Sequence, residues 1–199
     1  MKKFEIALAA AFLLCSIGVM RQTAFSATCA RVRDDTLRLH IVANSDSEAD
    51  QRVKLLVRDA LLTDVAALAQ GCGSKEEVAA RAAAACEELA QTARRVLREN
   101  GFSYDAQAEI TAMYFEQRTY GDVTLPAGDY TALRVELGTA QGHNWWCVLY
   151  PTVCLAASSE EQLAGYDADE ATLVTGGERY VLRFKLEEWF QNLRDKTEK

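Results

Sequence analysis

The chain has 199 residues, of which 49% are apolar and two are proline, and it carries a formal net charge of −7. That apolar share supports one domain with a proper core and excludes a disordered chain. The negative balance argues against nucleic acid and anionic lipid headgroups as partners, because both repel it.

Lys2 and Lys3 precede an uncharged apolar run from Ile6 to Met20, and small residues follow in Ala24-Phe25-Ser26-Ala27. This is the layout of an export leader, with an apolar core shorter than the roughly 20 residues that span a bilayer. Residues 1–27 therefore read as a signal peptide or an N-terminal anchor, and residues 34–199 as a single exported domain. The leader carries Lys2, Lys3 and Arg21 against Glu5, a net of +2, which leaves −9 on the rest. Cys29 lacks the aliphatic residue three places earlier that a lipoprotein anchor uses.

From Leu37 to Ala43 the residues alternate as in a buried strand, with Leu37, Leu39 and Ile41 on one side and Arg38, His40 and Val42 on the other. Ser45 or Ser47 then caps a helix, each having an acidic residue three places on. Val53, Leu56, Val57, Ala60, Leu61, Val65 and Leu68 keep helical spacing until Gly71-Cys72-Gly73. Ser74 with Glu77 opens a second helix, whose alanine-rich stripe runs from Val78 to Val96 and ends at Asn100-Gly101. With a short connection between them, the two predict a helical hairpin.

Beyond Tyr104 the period falls to two, predicting strands near Ile110–Phe115, Tyr130–Leu137 and Trp145–Tyr150 with turns at Gly121-Asp122 and Pro126-Ala127-Gly128. Residues 158–177 are acidic and polar and read partly as loop, and a last helix sets Leu182, Leu186, Trp189, Phe190 and Leu193 on one face. The expected order is β-α-α-β-β-β-α. It describes an α+β domain, an antiparallel sheet of about four strands packed against a helical hairpin, with a C-terminal helix.

Cys147 and Cys154 bracket the turn CVLYPTVC, and an exported protein meets an oxidising compartment, so they are the expected disulfide. Closing so short a loop contributes about 2–3 kcal/mol on the chain-entropy model. Cys72 and Cys86 offer a second pairing.

No phosphate loop, metal-spaced Cys/His cluster, His-Glu-x-x-His or nucleophile elbow occurs, and the only histidines are His40 and His143. We expect no catalytic set, no metal and no cofactor. Asn44, Asp46, Glu48 and Asp50 lack the twelve-residue calcium loop, and helix capping accounts for them. Asp50, Lys54 and Arg58 line one helix face, with Gln51 and Asp59 beside it: a solvated face or a partner surface. Trp145 and Trp146 are adjacent in a strand and must point to opposite faces of its sheet. One can enter the core, and the other is offered to a partner unless a helix covers it.

Three blocks carry a family likeness: RLHIVANSDSEADQRVKLLVRD (Arg38 to Asp59), LPAGDYTALRVELG with GHNWWCVLYPTVC (Leu125 to Cys154), and RYVLRFKLEEWF (Arg179 to Phe190). Together they make the chain resemble the stage II sporulation protein R family of endospore formers. Where the family has Phe-Pro-Pro-Leu-Cys, this chain has Tyr150-Pro151-Thr152-Val153-Cys154, so its turn has one proline fewer.

The resemblance implies a sporulation signal, made in the forespore and exported into the space between the two membranes. There it would activate a membrane-bound aspartic-type protease that cleaves the pro-form of the mother cell's early sigma factor. Carried over by motif, Asn44, Asp46, Asp50, Gln51, Arg58, Asn144, Trp145 and Trp146 would be the partner contacts. The competing expectation is an exported hydrolase acting on cell-wall material, with Asp46 or Asp50 as acid or base.

Overall fold

The structure is a computed structural model that describes residues 2–151, 165–176 and 183–189. Its elements are α1 (Lys2–Asp34), β1 (Leu37–Val42), α2 (Glu48–Ala69), α3 (Lys75–Ala84), α4 (Cys86–Glu99), β2 (Ala106–Phe115), β3 (Arg118–Tyr120), β4 (Val123–Leu125), β5 (Gly128–Leu137), β6 (Asn144–Tyr150) and α5 (Ala168–Thr175). Residues 183–189 add a further helical segment.

The architecture is the expected α+β one, a four-stranded sheet packed on helices, with strand order β2-β5-β1-β6. One detail differs from an all-antiparallel sheet: β1 is parallel to β5 and antiparallel to β6. The reason is where β1 lies. β5 and β6 follow one another in sequence and run in opposite directions, so a strand inserted between them must be parallel to one of the two. Their connection crosses two strand spacings, about 10 Å, and so passes over the end of β1.

Leu37, Leu39 and Ile41 face the helices and meet Leu133, Val135 and Leu137 of β5 and Cys147 and Leu149 of β6. Above them, Val53, Val57, Leu61 and Val65 repeat every four residues along α2, and Leu89, Ala93, Val96 and Leu97 form the buried stripe of α4. The chain chooses Ser47 as the α2 cap, its hydroxyl accepting from the Asp50 N–H, and Ser74 caps α3 through Glu77. The second predicted helix is two, α3 and α4, because Ala85 steps off helical dihedrals at φ −98° and ψ 8°.

The opposite sheet face is also covered. Phe25, Cys29 and Val32 of α1 pack with Val123, Leu125, Val148, Leu173, Val174 and Phe184. Phe115, Tyr130 and Ala132 form a smaller cluster beside them. Within the segment read as partly loop, Asp167 and Glu170 form a capping box that opens α5. In the last helix the inward residues are Phe184 and Glu187, whereas Leu186 and Trp189 are more than half exposed; Leu182, Phe190 and Leu193 lie outside the described residues.

Candidate functional site

The connection between β5 and β6, residues 138–143, lies over the carboxyl end of β1, and Asn44 holds it there. Its side-chain oxygen accepts from the Thr139 N–H at 2.9 Å, and its carbonyl accepts from the Thr139 hydroxyl at 2.9 Å. The Gly142 N–H donates to the Ala43 carbonyl at 2.9 Å. Two glycines make the approach close enough. A Cβ on Gly138 (φ +59°) would stand 2.2 Å from the Asn44 side chain, and one on Gly142 would stand 2.2 Å from the Ser45 carbonyl.

Asp50 ties this end to the helices. It is 5% exposed, and its carboxylate accepts from Asn44 at 3.0 Å, Ser45 at 2.5 Å and Tyr104 at 2.8 Å. Burial alone would raise its pKa, but these hydrogen bonds outweigh burial and hold it below the ordinary carboxylate range. Burial, with the bond to Asp50 added, pushes the Tyr104 hydroxyl well above its ordinary value. Lys54, also buried, donates to the Gln51 side chain at 2.6 Å and to the His143 carbonyl at 2.8 Å. Gln51 in turn donates to the Ser45 carbonyl at 3.0 Å. Desolvation lowers the Lys54 pKa, partly offset by the Asp46 charge.

Outside this network lie the groups that meet solvent. Asp46, with its side chain 55% exposed, accepts from the His143 N–H at 2.6 Å and sits 2.5 Å from the imidazole Nδ1. The hydrogen bonds from His143 lower its pKa. Asn144 is exposed next to them, opposite Val42 in the β1–β6 register. Further along α2, the Arg58 guanidinium lies 4.4 Å from the centre of the Trp145 ring, and the indole packs against the helix-side core.

Seven of the eight predicted contact residues therefore belong to one end of the sheet or the helix face beside it. Trp146 is the exception, farther along β6 on the opposite sheet face, the face that Asn144 also takes by strand alternation. It stacks on His40 with ring centres 4.0 Å apart and meets the Phe115 ring edge-on at 4.7 Å. Of the seven, Asn44, Asp50 and Gln51 are engaged inward and build the platform, Asp46 and Asn144 are exposed at its edge, and Arg58 and Trp145 lie half-buried beside it. Lys54 already stood in the helix row with Asp50 and Arg58. Tyr104 and Thr139 gave no signal, because nothing local marks a side chain that reaches across the fold.

Chemically, the platform offers hydrogen bonding, one exposed carboxylate–imidazole pair and a capped indole. Asp50 is occupied by three donors and makes a poor acid or base. Among the described residues no group of three or more His, Cys, Asp or Glu can hold a metal ion. Cys72 and Cys86 are both free, as are Cys15 and Cys29. Cys147 is buried on the helix side of β6, and Cys154 lies outside the described residues.

No solved structure matches the chain. A curated relative, the Stage II sporulation protein R of Bacillus subtilis (strain 168), is 32% identical over 142 residues. The alignment covers 71% of this chain and 63% of the relative, so the chain spans less than two thirds of the relative's length. The profile of the family described as Stage II sporulation protein R (spore_II_R) matches residues 33–160, which include β1, the platform and β6. With that match, the chain belongs to the stage II sporulation protein R family.

Proposed function

We propose that this sporulation protein is a signalling ligand without catalytic activity of its own. It is exported from the forespore into the intermembrane space, where it activates a membrane-bound aspartic-type protease. That protease then processes the pro-form of the mother-cell early sigma factor. Family membership and the export-type N-terminus support the reading. The observation that carries it is the platform itself, a hydrogen-bonded loop assembly that leaves Asp46 and Asn144 exposed, with the half-buried Arg58–Trp145 pair beside it. Such a ligand acts by binding one state of the protease better than another. The turn beyond β6 is closed, on this reading, by a Cys147–Cys154 disulfide, which thiol counting under denaturing conditions checks.

The test is reconstitution of the full chain with the membrane protease and the sigma-factor precursor. Cleavage should require the chain and should fall about tenfold or more in Arg58→Glu, because central aromatic and arginine positions dominate interfaces. Asp46→Asn should weaken activation while leaving the fold intact. Precursor cleavage that proceeds equally without the chain defeats the proposal. Turnover of muropeptides by the purified protein, lost in Asp46→Asn, would instead favour the exported hydrolase.

A further inference from the structure

We propose that the leader is not discarded: α1 stays in the protein as a membrane anchor, and its second half is a working part of the domain core. The proposal does not depend on the protease partner.

The two halves of α1 sit in different surroundings. From Phe4 to Met20 the apolar side chains are open to solvent, with Phe12 75% and Leu14 69% exposed. From Phe25 onward, buried side chains appear at Phe25, Cys29 and Val32, spaced by three and four residues, so one helix face is docked. The docking is polar as well as apolar. Phe25 meets Phe184 with ring centres 5.5 Å apart, and the Arg183 guanidinium lies 4.2 Å from the centre of the Phe25 ring. Ser26 and Gln22 donate to the Glu187 carboxylate at 2.5 and 3.3 Å, and Arg183 donates to the Arg21 carbonyl at 3.0 Å. At the far end Arg31 pairs with Asp167 at 3.3 Å and Glu170 at 3.6 Å, while Arg33 donates to the Ala127 carbonyl.

A leader cut after Ala27 would sever this docked helix and remove Phe25, Ser26 and Gln22 from the second core.

Lipid is the occupant that suits the undocked half. Beyond Glu5 its surface is uncharged and, apart from Ser16, apolar all round, as in a membrane helix and unlike an amphipathic one. By length and composition α1 qualifies to cross a bilayer. From Lys3 to Arg21 the helix rises about 27 Å, near the roughly 30 Å hydrocarbon thickness that long flanking side chains bridge by snorkelling. Lys2 and Lys3 keep the N-terminus on the side of synthesis and send the domain across. Only this leader is positive, so the acidic domain is repelled from anionic headgroups while its anchor is not.

The experiment expresses the full chain in an exporting bacterial host and measures the intact mass of the exported protein. The expected result is a chain retaining residues 4–27, in a membrane fraction that survives alkaline carbonate washing. A soluble product beginning after Ala27 overturns the proposal. Limited trypsinolysis of the detergent-solubilised chain reads the docking separately. Arg31 should resist cleavage in the parent and be cut about tenfold or more faster in Phe25→Asp, since local opening controls access. Equal cleavage at Arg31 and Arg21 in the folded parent would show the helix undocked and the proposal wrong.

Discussion

Two places in this fold take charge out of water, by different means. At the carboxyl end of β1, Asp50 is surrounded by short-range donors from its own loop and from Tyr104. On the outer face of the same strand, Arg38 is fully buried with its guanidinium 4.3, 5.0 and 5.5 Å from the ring centres of Phe115, Tyr130 and Tyr120. It donates to the Cys147 carbonyl at 3.2 Å and the Tyr120 hydroxyl at 2.6 Å, and no carboxylate among the described residues pairs with it. The first site uses directional hydrogen bonds to fix a loop. The second uses aromatic faces to fill a core. A buried charge thus marks a designed junction in one case and a packing element in the other.

The sharpest way to break the comparison is Asp50→Ala. It strands three donors and should cost about 3–4 kcal/mol in denaturant unfolding. Because the carboxyl is held below its ordinary range, its contribution is fully present above the unfolded-state pKa and is lost as pH falls through the folded one. The gap between parent and variant should therefore stay constant near neutrality and close in acid. A gap that persists unchanged in acid would refute the charge-based account.

A smaller effect is expected from Arg38→Lys, which keeps the charge but not the planar group that stacks on three rings, at about 1–2 kcal/mol. Stability equal to the parent would mean the rings contribute nothing specific to arginine. Least affected at neutral pH should be His40→Phe. Burial lowers the His40 pKa below its ordinary value, so the folded state resists protonation. Stability of the parent should fall as pH drops below about 6.5 towards the folded-state value. The variant, able to keep the stack on Trp146, should lose less over that window in a thermal melt series.

The same contrast shows what the sequence could reveal. Ser47, Asp50 and the α2 stripe were legible because capping and helical periodicity are local, each decided within a few residues. The opposed directions of Trp145 and Trp146 followed from strand geometry alone. What buries Arg38 and His40 was not legible, because the distant Phe115, Tyr130 and Trp146 that cover them leave no local mark. The placement of β1 between β5 and β6 was hidden for a related reason: strand order depends on pairings that no local pattern records. The break at Ala85 sits in an alanine run with no turn residue to announce it. For α1, the leader pattern was plain, but the docked face of Phe25, Cys29 and Val32 needed the partner side chains of α5 and residues 183–189 to become visible.

The central position of β1 also governs when the molecule can finish assembling. Leu39 lies opposite Leu133 and Cys147, partners that emerge 94 and 108 residues after it. Such distant closures are slow to form, so the early strand travels unpaired until almost everything else has been synthesised. If the chain is exported as proposed, that delay would keep it pliable while it threads a narrow translocation channel.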